Sequence, residues 1–184
     1  MATPTLERVI TDALAAAPWR RLYGIIDGAR CPDLVSEAEN DFGLRPRSLF
    51  LPELWAELRE VSPYVVEIDP ARGYLARWAA RFGTSAGVLL ISGADGMTVR
   101  EHLRRTFVVT DETGQEFFFR YYDPRVLRPF LPTCSSAQMD EFFGPVDEFA
   151  VESDDATSLV RYGNAQGRLV ETHARLKAAH DVQA

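Results

Sequence analysis

The chain has few cysteines, histidines and lysines, the residues that form disulfides and that often bind metals or cofactors. Among its 184 residues there are two cysteines (Cys31 and Cys134), three histidines and one lysine (Lys177). Two cysteines cannot build a disulfide framework, and the scattered cysteines and histidines lack the spacing of a structural zinc site. We therefore expect neither a cofactor nor a metal.

Long apolar runs and a strong positive charge are also missing. No run approaches the roughly 20 apolar residues that a membrane-spanning helix needs, and the N-terminus lacks the pattern of a signal peptide. The formal net charge is −7, whereas nucleic-acid binding rests on clustered basic residues. There is no G-x-G-x-x-G after a strand and no phosphate-binding loop. The sequence predicts a cytoplasmic protein that binds neither membranes nor nucleic acid.

What the chain does have is a folded-protein composition, 46% hydrophobic and 26% charged. Short apolar segments such as 21–28, 64–68 and 87–91 alternate with amphipathic helical patterns, which favours an α/β fold with a mixed, mainly parallel sheet flanked by helices. Residues 106–110 and 116–122 predict an antiparallel hairpin added to that sheet. We expect an α/β domain over 1–152, including an N-terminal helix, and a short C-terminal extension over 153–184 that is helical from Arg168 to His180.

One segment matches a catalytic motif. Gly83-Thr84-Ser85-Ala86-Gly87 fits G-x-S-x-G, but a nucleophile elbow follows a strand and opens a helix, whereas here a helix ends and a strand begins. A small serine hydrolase using Ser85, with His102 as base and an acid such as Asp27, stays open as an alternative.

The stretch FRYYDPRVLRPFLP, residues 119–132, concentrates three arginines in an acidic chain. Asp123 followed by Pro124 predicts a helix start, with the aspartate as N-cap. Two interpretations stay open for the arginines. Arg120 and Asp123 can tie the strand to the helix, and Arg125 and Arg128 can hold a partner's carboxylates through their planar guanidinium groups.

The order of short motifs resembles a known family, the adaptor chaperones of bacterial type VI secretion effectors, also called Tap or Tec proteins. The matching segments are LYGIIDGA (22–29), SLF (48–50), PYVVEI (63–68), EHLRR (101–105), FRYYDPRVL (119–127) and FGPV (143–146). FRYYDPRVL followed by FFGPV is the most specific part.

The resemblance implies a non-enzymatic protein that binds a toxic effector and helps to load it onto the spike protein of the secretion machine. Carried over by position, the motif residues that bind a partner or organise the fold are Asp27, His102, Arg104, Arg120, Tyr122, Asp123, Pro124 and Arg125; Arg128 is added from the residue pattern.

Overall fold

The structure is a computed structural model that describes residues 3–50, 57–110 and 113–177. Its α-helices there are α1 (Leu6–Ala15), α2 (Pro32–Asn40), α3 (Tyr74–Ala79), α4 (Gly96–Thr106), α5 (Pro124–Phe130) and α6 (Ser136–Phe143). Its strands are β1 (Arg21–Asp27), β2 (Arg47–Ser48), β3 (Pro63–Ile68), β4 (Gly87–Ser92), β5 (Val108–Thr110), β6 (Glu116–Phe118), β7 (Glu148–Glu152), β8 (Ser158–Asn164) and β9 (Leu169–Arg175). Short 3-10 turns cover Arg59–Val61, Pro70–Arg72 and Leu131–Thr133. No helix in these ranges is long and apolar enough to cross a membrane.

The main sheet is antiparallel, so the predicted mainly parallel sheet is wrong. The strands lie in the order β2-β3-β1-β4-β7-β8-β9, and each described pairing between neighbours is antiparallel. The error has a physical cause. Strands β1 and β4 are buried on both faces because helices cover both sides of the sheet, and an apolar run of this kind does not encode strand direction.

Two further segments differ from the sequence-based expectation. The hairpin β5–β6 forms a separate two-stranded sheet rather than an extension of the main one. The predicted helix from Arg168 is also wrong over its described part, because β9 pairs with β8 and extends the sheet beyond β7. A tight turn at Gln166 and Gly167, both at positive φ (56° and 78°), makes this hairpin. Strand β7 therefore lies inside the sheet, between β4 and β8.

The sheet separates two apolar cores. Alternation along β1 sends Tyr23 and Ile25 to one core and Leu22 and Ile26 to the other. Side chains from α4, α5 and α6 fill the first core, and side chains from α1, α2 and α3 fill the second. The helices thus flank the sheet on both faces, as predicted, and the segment after β6 enters the first core through the buried Tyr121 and Leu127.

Candidate partner-binding site

The end of β1 is organised around a buried carboxylate. Asp27 is 1% exposed, and its Oδ1 accepts hydrogen bonds from the N–H groups of Ala29 (3.1 Å) and Arg30 (3.3 Å). The next residue must be small, because a Cβ on Gly28 would lie 2.3 Å from the Ser62 carbonyl oxygen. Asp27 therefore fixes the turn that leaves the strand, which leaves its Oδ2 available to another group.

Arg120 supplies that group and joins two distant parts of the chain. Its Nη2 lies 3.2 Å from Asp27 Oδ2 and 3.4 Å from Asp123 Oδ2. The guanidinium carbon also lies 5.7 Å from the ring centroid of the buried Tyr122, within reach of a cation–π contact. Because both carboxylates are almost fully buried, the Arg120 guanidinium lies beside negative charge that the solvent screens poorly.

Asp123 begins helix α5, as the sequence predicts. Its Oδ1 accepts from the Arg125 N–H (3.0 Å) and from Arg125 Nε (2.9 Å), while Oδ2 accepts from Arg125 Nη2 (2.6 Å). Burial raises the pKa of the Asp123 carboxyl, but hydrogen bonds from Arg125 and the charges of Arg125 and Arg120 outweigh burial. The pKa of Asp123 therefore lies below its ordinary value, and the carboxylate stays ionised at neutral pH.

We call Asp27, Arg120, Asp123 and Arg125 the arginine–aspartate cluster. Its two carboxylates are inside the protein, and its two guanidinium groups are about half exposed, at 48% and 51%. The charges balance, and the carboxylates are already occupied by the arginines and by backbone donors. A partner could still accept hydrogen bonds from the remaining guanidinium N–H groups of Arg120 and Arg125.

Arg128 is placed differently from Arg125. Its side chain is 13% exposed, its Nη1 donates to the Glu152 carbonyl oxygen (2.6 Å), and its Nη2 contacts the carboxylate of Asp154. Arg128 thus ties α5 to the end of β7, and little of its guanidinium faces the solvent.

His102 holds two helices together. Its side chain is 7% exposed, and its Nε2 donates to the Phe142 carbonyl oxygen at 2.8 Å, which links α4 to α6. Burial lowers the pKa of His102, and the nearby charge of Arg105 adds to this, so the neutral form is favoured. The ring leaves no room for a side chain at Gly144, where a Cβ would lie 2.5 Å from His102 Cε1 and φ is +48°. The motifs 101–105 and 143–146 are therefore in contact through His102 and Gly144.

Arg104, the remaining motif residue, is half-buried on α4. Its Nε is buried and has no hydrogen-bond partner among the residues described.

The segment that carries Ser85 is a carboxylate-bound turn. Ser85 is 6% exposed with φ at +56°, and both its N–H (2.8 Å) and its Oγ–H (3.1 Å) donate to Glu152 Oε1. Glu152 Oε2 accepts from the Gly83 N–H at 2.6 Å. His102 and Asp27, whose contacts are given above, make no hydrogen bond to Ser85 in the described structure, so the three residues are not assembled as a triad.

An apolar groove opens beside His102, and sequence reasoning did not predict it. It has a volume of about 630 Å³ between the hairpin β5–β6 and helices α4, α5 and α6. Its walls include Val108, Val109, Phe119, Phe130 and Phe142, and Arg105, Gln138 and Glu141 add polar groups. The same hairpin exposes Phe117 (46%) and Phe118 (52%). The signal in the sequence was the run of three phenylalanines at 117–119, too many for a strand with one buried face.

The fold and these surfaces define a protein with helices on both faces of an antiparallel sheet, a charge-balanced cluster of arginines and aspartates, and an exposed apolar hairpin. Comparison with protein families then identifies it. Residues 22–141, more than half of the chain, match the family described as "Domain of unknown function (DUF4123)", and the chain belongs to this family. No curated protein and no solved structure matches the chain.

Proposed function

We propose that this chain is a non-enzymatic adaptor that binds a type VI secretion effector in the bacterial cytoplasm and helps to load it onto the spike protein. Membership of the DUF4123 family supports this proposal, together with the order of the motifs from residue 22 to residue 146. The family description itself gives no function, so the role rests on the motif resemblance and on the surface.

The observation that carries the proposal is the apolar groove with its exposed hairpin. Exposed apolar patches on monomeric proteins are usually small, and larger ones mark sites of interaction. Val109, Phe117 and Phe118 are each more than 40% exposed, and Val109 lies in a groove whose other apolar lining side chains are Val108, Phe119, Phe130 and Phe142. An apolar segment of an effector, such as the face of an amphipathic helix, fits such a groove.

The groove also contains polar groups that can orient a bound segment of the effector. Arg105 and Glu141 lie at the same groove with opposite charges, and Gln138 adds an uncharged donor and acceptor. Polar groups of both signs around an apolar centre are the ordinary arrangement of protein interfaces. The arginine–aspartate cluster then acts mainly on the fold, with Arg120 and Arg125 as secondary contacts.

Co-expression and pull-down with the products of neighbouring genes test the proposal. We expect a stable complex with an effector, with the spike protein, or with both. Val109→Glu places a charge in the groove and should weaken effector binding at least tenfold. Val61→Glu is the matched control, because Val61 is similarly exposed (46%, against 42% for Val109) and does not line the groove. Failure of the wild-type chain to bind any effector or spike protein would reject the proposal.

The hydrolase alternative makes a different prediction, namely cleavage of simple esters that Ser85→Ala abolishes. The Ser85 hydroxyl is held by Glu152 and the His102 ring by Phe142, so neither group is positioned for that reaction. An inert wild-type protein in an ester assay removes this alternative independently of the binding experiment.

A further inference from the structure

Arg104, on helix α4, has no partner for its charge among the residues that the structure describes. Six buried side-chain nitrogen and oxygen atoms in these residues lack a hydrogen bond. Five of them belong to side chains that form an ion pair. The sixth is Arg104 Nε, and no described carboxylate pairs with its guanidinium. A buried donor without an acceptor costs free energy, so this arginine does not serve the stability of the free chain.

Two further arginines lie beside Arg104. Arg100 precedes it by four residues, so the two side chains share one side of α4. Arg100 Nε and Nη2 donate to the Ser48 carbonyl oxygen at 3.2 and 2.9 Å, which joins this side of the helix to β2. Arg47 pairs with Val65 on β3, and Val65 points into the core that α4 covers. Because residues directly opposite in a sheet share a face, the exposed Arg47 lies on the α4 side.

We call Arg47, Arg100 and Arg104 the three-arginine patch. It concentrates positive charge in a chain whose formal net charge is −7. Burial lowers the pKa of Arg100, and the charges of Arg104 and Arg47 lower it further, whereas Glu101 raises it. None of the three arginines forms an ion pair with a carboxylate in the described parts of the chain. Like charges held together repel each other, and a bound anion would offset this repulsion.

We propose that the three-arginine patch binds an acidic segment of a protein partner through several of its carboxylates. The two bonds to Ser48 leave three of the five N–H groups of Arg100 available, and the planar guanidinium group matches a carboxylate. Arg100 and Arg104 are separated by about 6 Å along the helix axis. Alternate side chains of an extended peptide are about 6.8 Å apart. The spacing therefore fits successive acidic residues of one segment better than a single small anion.

The three-arginine patch is separate from the apolar groove. His102 and Arg105 line the groove, and both follow a different side of α4. At about 100° of rotation per residue, each is turned by at least about 100° from Arg100 and from Arg104. The acidic segment would therefore bind beside the groove, and the proposal does not require that the groove holds an effector.

A short acidic peptide tests the binding. The probe is a fluorescein-labelled oligoglutamate peptide, titrated with the full chain at low salt and followed by fluorescence anisotropy. It should bind at least about tenfold more tightly than an oligoglutamine peptide of the same length. Arg104→Met and Arg100→Met should each raise its Kd about fivefold, the upper range for an exposed ion pair.

Arg72→Met is the matched control, since it removes one positive charge from an exposed arginine that pairs with Asp69. It should change the Kd of the oligoglutamate peptide by less than about twofold. Equal Kd values for the two peptides, or equal effects of Arg104→Met and Arg72→Met, would overturn the proposal. So would an oligothymidylate of the same charge that competes more strongly than the peptide, because it would assign the patch to nucleic acid.

The stability of the free chain provides the second test. Arg104→Met keeps an unbranched apolar stem but removes the unpaired Nε and one of three like charges. The Tm should therefore stay the same or rise, while binding of the oligoglutamate peptide falls. A decrease in Tm of about 4 °C or more would show that Arg104 stabilises the free chain, and this result would also overturn the proposal.

Discussion

Replacing Arg120 with alanine should destabilise the fold more than an ordinary surface arginine does. Among the residues that the structure describes, the change removes the one side-chain cation in contact with Asp27, which is 1% exposed, and one of two in contact with Asp123, which is 2% exposed. Asp27 keeps its two backbone donors, and Asp123 keeps Arg125. The cost arises from leaving the Asp27 carboxylate buried without a charged partner.

The expected loss in the free energy of unfolding lies between two limits. Breaking a fully buried ion pair costs about 3–5 kcal/mol, whereas an exposed pair contributes about 1 kcal/mol or less. Arg120 is 48% exposed and its partner is buried, so we expect a loss of about 2 kcal/mol in the free energy of unfolding. For a chain of this size that corresponds to a decrease of about 4–8 °C in Tm.

Urea and thermal unfolding followed by circular dichroism would measure this change. Arg8→Ala is the control, since Arg8 and Asp12 form an exposed pair one helical turn apart, at 71% and 56% exposure, and should contribute about 0.5 kcal/mol or less. Adding Asp27→Asn to Arg120→Ala removes the uncompensated charge and should recover part of the loss. If Arg120→Ala is no more destabilising than Arg8→Ala, the argument that this arginine compensates buried carboxylates is refuted.

The contacts of Arg128 and His102 lead to two further predictions. Arg128→Ala should cost about 1–2 kcal/mol in urea unfolding, because it leaves the Glu152 carbonyl without its donor, while binding of an effector in the groove should not change. For His102, the folded pKa lies below the ordinary 6.5, so its contribution is present above pH 6.5 and is lost as the pH falls below that value. His102→Gln should flatten the decrease in stability between pH 7.5 and 5, a decrease limited to about 1.4 kcal/mol per pH unit for one group. An unchanged pH profile would contradict the assignment of a neutral, buried His102.

The corner at Asp123 shows what the sequence can predict. An aspartate followed by a proline encodes a helix start locally, since the side chain caps the first turn and the proline lacks the N–H that would otherwise be unpaired there. The sequence left open whether Arg120 ties the strand to the helix; in the structure Arg120 follows the end of β6 and lies between Asp27 and Asp123. The helix start depends on two adjacent residues. The contacts of Arg120 depend on the need of a buried charge for a partner of opposite sign.

Strand direction and the C-terminal segment depend instead on distant partners. Nothing within β1 or β4 distinguishes a parallel from an antiparallel neighbour, because both faces of each strand are covered. Residues from Arg168 onward have an amphipathic pattern compatible with a helix, but the turn at Gly167 returns the chain along β8 and the ladder overrides that preference. The apolar groove was missed for a related reason, since its walls come from β5, α4, α5 and α6.

The motif residues and the exposed apolar residues have different roles: the first make contacts within the chain, and the second lie on the surface. Asp27, His102 and Arg120 bind other parts of the same chain, so the motifs that carry the resemblance chiefly specify the fold. Phe117 and Phe118 do not lie in the arginine–aspartate cluster, and they are about half exposed on a hairpin outside the main sheet. A change in the hairpin can therefore alter what is bound while the cluster and the sheet stay intact. Under the proposed function, chains with the same motifs but different effectors should differ most at the hairpin and along the groove, and exchanging the hairpin between two of them should transfer effector preference.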